Sequence, residues 1–407
     1  MPPASAASRP RASLIAAVAG VLAVLVASPA LGQDLEPIRD RDYAIDLYQG
    51  AVLGSVRIVG MGGAQVALAE GSSGLIANPA AAGVRPATSS GNWDWDWHVD
   101  WLNPALGSDF DNNGRDTEEE LQTFPLLTLG AVLQYKHWAI GLTGNIAERV
   151  VDGPAGTSLQ PKFAVGRFVI AREYRVFTIG VGVRTGQFDL DRIEGDGMTK
   201  TTLFTLGGAG LEGGLVWRPR DLDLRVGGAV SFPVIANDEV VIGDCDPDDC
   251  LGYILPDEVI VPWQMSAGIA WRRADTRWNR NVATRWRDER YLLLSTDIVI
   301  TGPVDNGHGV EAFFDGQLQP SGRSASVSVR TGVEYEWKPG RFRVRGGGYW
   351  EPGRFEGVAG RAHFTAGMDI RFWSFCFWNE RYRTRLSLTG DVADRYANAG
   401  VSIGFWH

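Results

Sequence analysis

The chain has 407 residues and a formal net charge of -9 at pH 7, which argues against nucleic acid as a partner. Glycine is abundant at 51 residues and tryptophan is unusually frequent at 15. No stretch beyond the N-terminal region is long and apolar enough for a transmembrane helix, so a helical membrane protein is excluded as well.

Residues 1–32 are predicted to be a secretory signal peptide. Arg9 and Arg11 precede an apolar run over residues 14–27, and small residues around Ala30 offer a cleavage site. A membrane anchor is the alternative, but the apolar run is short for a bilayer helix. Roughly 375 residues would remain after cleavage, enough for more than one ordinary domain. An exported chain of this composition is either a secreted all-β protein or an outer-membrane barrel.

Residues 33–88 lack the alternation seen later in the chain and are crowded with small residues. Their distinctive positions are a glycine group at Gly60, Gly62 and Gly63 and the turn-forming sequence Asn78-Pro79-Ala80. Small residues allow close backbone packing, so this compact segment is suited to plug a lumen. A periplasmic tail is the alternative, although the segment is neither charged nor low in complexity.

The first clear strand runs from Trp93 to Trp101, where large apolar and charged side chains alternate strictly. Successive side chains of a strand point to opposite faces. One face holds Trp93, Trp95, Trp97, Val99 and Trp101, and the other holds Asp94, Asp96, His98 and Asp100. A transmembrane barrel has this pattern, because one face meets lipid and the other lines a wet lumen.

The loop after this strand contains a match to the calcium-loop pattern D-x-[DN]-x-[DN]-G-x5-E. The predicted ligands are Asp109, Asp111, Asn113, the carbonyl of Arg115, and Glu120. Asp116 occupies a position that is usually apolar, and no amphipathic helix precedes the loop. The two interpretations are a weak structural Ca²⁺ site and an acidic surface loop without an ion. No cofactor is otherwise required.

Dyad alternation recurs to the end of the chain, and we count about fourteen strands, an even number as expected for a bacterial barrel. The predicted spans are 90–101, 126–136, 138–147, 162–174, 176–188, 201–218, 222–233, 259–273, 290–301, 325–337, 341–350, 361–373, 382–390 and 396–406. Tight links alternate with long ones, as short periplasmic turns alternate with long outer loops in such barrels. A secreted sandwich or propeller is disfavoured, because nearly every outward face is apolar.

The predicted lumen also carries arginines near the C-terminus. Arg341, Arg343 and Arg345 share one face of a strand, and Arg383 and Arg385 share a face of a later one. Barrel closure places the last strand beside the first, so Arg383 and Arg385 are expected near the Asp94–Asp100 row. These residues, with His98, are candidates for a substrate pathway. A bracing network of cross-lumen ion pairs is the alternative.

Three cysteines are present. Cys245 and Cys250 bracket a short acidic sequence, and the oxidising environment of an exported protein predicts a disulfide between them. Cys376 lies alone in an aromatic stretch and is expected to be a free thiol.

The glycine group, the following Ala-Leu-Ala-Glu sequence and Asn78-Pro79-Ala80 resemble the N-terminal hatch of the FadL/OmpP1 (TodX) family, and related PorV/PorQ-type barrels carry a similar segment. The resemblance implies an all-β fold: a 14-stranded antiparallel transmembrane barrel over residues 89–407, with residues 33–88 as a hatch. It also implies passive uptake of hydrophobic molecules, of the long-chain fatty acid or aromatic hydrocarbon type, across the outer membrane of a Gram-negative bacterium. The Asp94–Asp100 row disfavours an anionic substrate.

Two further expectations concern function class. None of the five histidines lies near a nucleophile motif or a metal-ligand pair, so the chain is interpreted as a non-enzyme. Residues 274–289 are long and arginine-rich for a periplasmic link. This loop leaves an alternative open, in which a PorV-like barrel serves a periplasmic protein partner in secretion or surface assembly.

Overall fold

The computed structural model describes residues 35–48, 50–89, 91–104, 109–115, 126–148, 151–152, 158–193, 200–241, 246–250, 252–282, 286–377 and 380–406. The predicted signal peptide therefore lies outside the described residues. Among the described residues, no helix has the length and apolar character needed to span a membrane.

Fourteen of the described strands form a closed antiparallel barrel in which each strand pairs with its neighbours in sequence. They are β1 Trp93–Pro104, β2 Leu126–Tyr135, β3 Trp138–Glu148, β4 Ser158–Glu173, β5 Phe177–Ile193, β6 Lys200–Trp217, β7 Leu224–Ser231, β8 Gln264–Ala274, β9 Tyr291–Thr301, β10 Ser326–Lys338, β11 Phe342–Glu351, β12 Arg361–Phe377, β13 Glu380–Ala393 and β14 Tyr396–Phe405. The ring is closed by pairing of β14 with β1. The paired residues run from Asn398 opposite Pro104 to Gly404 opposite His98. The predicted fold and strand number are confirmed.

The two faces of the wall divide as the alternation predicts. On β1, Trp93 and Trp101 are 61% and 54% exposed, whereas His98 and Asp100 are each 1% exposed. Exposed aromatic side chains form a belt at one end of the barrel, namely Trp93, Tyr135, Trp138, Tyr174, Phe177, Trp337, Phe372 and Trp373. Aromatic girdles mark the membrane–water boundary of outer-membrane barrels.

This belt lies at the end where the links are mostly tight, which we call the short-turn end. At the opposite, long-loop end, the chain before the barrel joins an accessory sheet. Ala44–Asp46 pairs in parallel with Glu258–Val261 and with Gly307–His308, while Val234–Ala236 pairs with Glu258–Val261 from the other side. A buried cluster that includes Ile45, Phe188 and Phe313 packs beneath this sheet.

One predicted strand was wrong in part. The span 259–273 joined two elements, because Glu258–Val261 belongs to the accessory sheet and only Gln264–Ala274 enters the barrel wall. Pro262 separates them, and proline has no N–H to donate to a continuous ladder.

The outward face can be tested at Leu142, which is 53% exposed near the middle of β3. We expect Leu142→Arg to lower the free energy of unfolding by about 2–4 kcal/mol, because a charge on the lipid face loses its hydration. Urea unfolding in lipid vesicles measures the change, with Leu142→Ile as the control. Equal stabilities of the two variants would contradict a lipid-facing position.

Candidate substrate pathway

Residues 35–89, the N-terminal segment, run from the accessory sheet at the long-loop end to the short-turn end. There the Arg85 guanidinium donates to the carbonyls of Lys136 and Gly91. Between these ends the segment forms only short helical pieces: Val56–Gly60, Ser73–Ile76 and Pro79–Gly83. These pieces contact inward-facing residues of many barrel strands.

Wall glycines let the segment approach the barrel backbone closely. A Cβ at Gly180 would collide with the backbone of Pro79, and one at Gly227 would collide with the backbone of Val66. At Gly332 a Cβ would meet the carbonyl of Met61. Part of the high glycine content is therefore explained by backbone-to-backbone packing between wall and segment.

Carboxylates of the wall accept hydrogen bonds from backbone N–H groups of the segment. Asp96 of β1 accepts from the Ser72 N–H at 2.5 Å, and Asp100 accepts from the Val56 N–H at 3.2 Å. Asp297 of β9 accepts from the Val66 N–H at 2.8 Å. These N–H groups have no ladder partner in so irregular a segment, and a buried N–H without an acceptor costs about 1–3 kcal/mol.

The Asn78-Pro79-Ala80 sequence forms a cap that is tied to the wall. The Asn78 side chain accepts from the Ala80 N–H at 2.9 Å and donates to the Val66 carbonyl at 2.8 Å. Proline at the next position begins the Pro79–Gly83 turn without an unused N–H. Gly62 and Gly63 adopt φ of +59° and +77°, which glycine allows at little cost. All six residues of the predicted hatch motif are buried, namely Gly60, Gly62, Gly63, Asn78, Pro79 and Ala80.

A chain of ion pairs connects the segment to the wall of the lumen. Arg57 of the segment lies 3.4 Å from Glu70 and 3.3 Å from Glu334 of β10. Glu334 also binds Arg345, whose guanidinium donates to Asp369 at 2.7 Å. Because Arg57 and Glu70 are on the segment and Glu334, Arg345 and Asp369 are on the wall, this network holds the segment in place.

The predicted lumen arginines are only partly brought together. Arg343 pairs with Glu336 at 2.7 Å, and Arg385 lies 3.6 Å from Asp369. Arg383 is at the short-turn end instead, where it pairs with Asp288 and stacks on Trp286. The expected ion pair of Arg383 with the Asp94–Asp100 row is replaced by its pair with Asp288. Asp96 and Asp100 accept from segment N–H groups, and Asp94 accepts from the adjacent Trp95 N–H.

The segment brings a serine to His98, a partner that the sequence did not indicate. Ser72 Oγ lies 2.8 Å from His98 Nδ1 and 2.8 Å from Asp96, while His98 Nε2 is 3.7 Å from Asp100. A hydroxyl has one hydrogen, and the acceptor-only carboxylate of Asp96 takes it, so Nδ1–H donates to Oγ. His98 in this arrangement cannot act as the base for Ser72, which is fully buried. The trio braces the segment.

A cavity of about 180 Å³ lies in the long-loop half of the lumen, between the segment and the wall. Its apolar lining includes Leu47, Leu53, Ile58, Ile76 and Phe163. Three guanidinium groups also line it: Arg167, Arg184 and Arg330. Arg167 pairs with Glu212 at 3.3 Å, but Arg184 donates to carbonyls and Arg330 to a hydroxyl. Neither of these two forms an ion pair with a described carboxylate.

The loop predicted to bind calcium folds back on its first aspartate. Asp109 accepts from the N–H groups of Asn113 at 2.9 Å and Gly114 at 3.0 Å, and Asn112 and Gly114 adopt φ of +59° and +89°. Burial raises the pKa of the Asp109 carboxyl to about 6, although Arg361 and the N–H donors act in the opposite direction. Arg395 lies 3.1 Å away. Glu120 lies outside the described residues.

The cysteines and the basic loop over residues 274–289 were also singled out in the sequence. Cys250 is buried and disulfide-bonded, while its predicted partner Cys245 lies outside the described residues. Cys376 is free and exposed. In the basic loop, Arg277 pairs with Asp223 and Arg280 with Asp221, and Trp278 enters the lumen against Arg225. These loop residues therefore make contacts within the chain.

Several solved structures share this fold. They are a FadL homologue of Pseudomonas aeruginosa (TM-score 0.50, 12% identity, 88% of this chain and 98% of that one), the CymD monoaromatic hydrocarbon channel (0.51, 11%, 88% and 97%) and the TodX deltaS2S3 mutant, also a monoaromatic hydrocarbon channel (0.50, 13%, 87% and 98%). No protein-family model and no curated protein matches the chain.

At these identities the likeness shows the fold. The chain is a 14-stranded antiparallel β-barrel with the architecture of FadL-type channels, as the sequence predicted. The PorV/PorQ part of the resemblance stays a prediction.

The close packing of segment and wall can be tested with paired glycine variants. In Gly227→Ala the new Cβ must displace Val66, so we expect the free energy of unfolding to fall by about 1–3 kcal/mol and the ion current through the lumen to rise. Gly144→Ala is the control, because a Cβ there meets nothing within 4 Å. Planar-bilayer recordings measure the current. Equal currents for both variants would show that Gly227 does not help to seat the segment.

Proposed function

We propose that this chain is a channel for passive uptake of hydrophobic small molecules across the outer membrane of a Gram-negative bacterium. The observation that carries the proposal is the cavity between the N-terminal segment and the wall, lined by both apolar and polar side chains, in a barrel of FadL-type architecture. Short turns of such barrels face the periplasm, so this cavity is in the outer half of the pathway. The bracing role of Ser72 and His98 supports a channel without enzymatic activity.

In this proposal the N-terminal segment is the hatch. It lacks long helices or strands of its own in the lumen, and it is held by separate contacts such as Asp96–Ser72 and Arg57–Glu334. A segment held in this way can rearrange while the barrel ladder stays intact. Substrate would pass as these contacts exchange.

The cavity favours an amphiphile with an acidic group, such as a long-chain fatty acid, over an uncharged aromatic hydrocarbon. Arg184 and Arg330 line this space without an ion-pair partner among the described carboxylates, and Arg184 Nε is buried without a hydrogen bond. A carboxylate placed there would receive charge-assisted hydrogen bonds. The aspartates that argued against an anion are not obstacles, because Asp96 and Asp100 bind backbone N–H groups.

Uptake in a deletion strain tests both the function and the substrate class. We expect the wild-type chain to restore uptake of oleate, and the double variant Arg184→Met/Arg330→Met to reduce it about tenfold or more, because charge-assisted hydrogen bonds are lost. Arg175→Met, at an exposed position of a short turn, is the control. A wild-type chain that restores uptake of neither oleate nor toluene would overturn the channel. Toluene uptake alone would assign a hydrocarbon substrate instead.

The PorV-like alternative, with a periplasmic protein partner in secretion or surface assembly, receives no further support from the basic loop. Of its described arginines, Arg277 and Arg280 are engaged by Asp223 and Asp221 of the neighbouring turn, and Arg287 pairs with Glu289 of the loop itself. This alternative stays a prediction.

A structural Ca²⁺ ion in the loop that begins at Asp109 is a second, smaller proposal. Asp109, Asp111 and Asn113 supply side-chain oxygens, the Arg115 carbonyl would be a further ligand, and Glu120 completes the predicted set. Support comes from the positive φ of Asn112 and Gly114, which wraps the chain around Asp109, and from the elevated pKa of this carboxyl. A carboxyl with a raised pKa gains from additional positive charge.

Calcium titration by isothermal calorimetry tests the loop. We expect the purified barrel to bind one Ca²⁺ with a dissociation constant of about 10⁻⁴–10⁻³ M, as in extracellular sites, and Asp109→Asn to abolish binding. Asp246→Asn, an exposed acidic position in another long loop, is the control. Absence of calcium-dependent heat from the wild type would leave an acidic loop without an ion.

A further inference from the structure

A second cavity, in the short-turn half of the lumen, is surrounded by arginines. It has a volume of about 110 Å³ and lies between the N-terminal segment, the basic loop and several strands. Among the described residues, nine arginines and three carboxylates, Glu70, Asp96 and Glu334, line it. Such an excess of one charge in a confined space is costly unless the charge is balanced.

Carboxylates next to the cavity, some of them at the mouth of the barrel, balance most of this charge. Five more pair with the lining arginines, as Glu289 does with Arg272 and Asp369 does with Arg385. Asp369 is shared with Arg345, which adds one more cation. The cluster of described residues then holds ten guanidinium groups and eight carboxylates, and two positive charges remain.

Four buried N–H groups of lining arginines have no hydrogen-bond partner among the described residues. They are Arg57 Nε and Arg85 Nε on the segment, Arg272 Nη1 on β8 and Arg385 Nε on β13. A buried donor on a charged group loses its hydration without compensation, so unsatisfied donors of this kind indicate a ligand or water. These donors come from three separate elements and converge on one space.

We propose that this cavity binds a phosphate dianion, either free phosphate or the monoester group of an amphiphile. Guanidinium forks match phosphate oxygens in geometry, and a dianion neutralises the two excess charges where one carboxylate would leave one of them. By the space that a water molecule needs, the cavity holds roughly eight waters, which is ample for the five heavy atoms of a phosphate.

Access to the cavity is from the short-turn end. Arg85, Arg218 and Arg280 line both this cavity and an open groove of about 1100 Å³ at the mouth of the barrel. Arg85 forms no ion pair with a described carboxylate, since its guanidinium donates to two carbonyls. A basic groove at the entrance raises the local concentration of anions. The site goes beyond the proposed uptake, which depends on the other cavity and on Arg184 and Arg330.

Calorimetric titration of the purified full-length barrel in a nonionic detergent tests the site, at pH 8, where phosphate is a dianion. The probes are inorganic phosphate, decyl phosphate and decanoate, each titrated into the Arg184→Met/Arg330→Met variant so that the cavity proposed for fatty acids does not contribute to the heat. We expect at least one phosphate probe to bind with one site per chain, and decanoate to bind at least tenfold more weakly. Binding of inorganic phosphate identifies free phosphate as a ligand, whereas binding of decyl phosphate alone identifies a monoester.

Variants locate the binding. Arg272→Gln and Arg385→Gln should each weaken phosphate binding about tenfold or more, because each removes a guanidinium from the cavity. Arg277→Gln should leave phosphate binding unchanged, because Arg277 of the basic loop pairs with Asp223 outside the cavity. Decanoate that binds as tightly as the phosphate probes, or no binding of either phosphate probe, overturns the proposal without reference to any variant. Loss of oleate uptake in cells has no bearing on this result, so the two proposals fail separately.

Discussion

The lumen of this barrel is organised by the need to satisfy the backbone of an irregular segment away from bulk water. A strand or long helix would satisfy its own N–H groups, but the N-terminal segment has only short turns, and the wall must supply acceptors. Asp96, Asp100 and Asp297 do so for Ser72, Val56 and Val66. Luminal carboxylates on opposite parts of the wall thus fix the path of the segment.

The same constraint explains the arrangement of charge and space around the segment. Arg57 enters the lumen on the segment, and Glu70 and Glu334 neutralise it from the segment and the wall. Wall glycines such as Gly227 remove side chains where the two backbones meet. What remains is one cavity of mixed apolar and polar lining towards the long loops and one arginine-rich cavity towards the short turns. The two halves of the lumen therefore differ in chemistry.

The sequence predicted the faces of individual strands but not the partners of their inward side chains. The alternation at Trp93–Trp101 correctly assigned the lipid and lumen faces of β1. It could not assign partners to the inward residues, and the expected contact of Arg383 with the aspartate row was wrong because Arg383 lies at the barrel rim beside Asp288. The approach of Ser72 to His98 had no signal in the sequence, since the two residues belong to different elements. Pro262 did carry a signal, and it marks where the predicted eighth strand should have been divided.

The two-residue alternation, repeated along the chain, by itself predicted an antiparallel barrel with an apolar outward face, because the period and the outward face are local properties of each strand. Fourteen such strands and their links follow from the same local reasoning. Only the tertiary structure decided what the aspartates do, because their partners come from a segment whose path depends on strand order, register and the positions of glycines around the whole ring. It also decided which arginines are balanced, since ion pairs across a lumen join residues that are distant in sequence and adjacent only after closure.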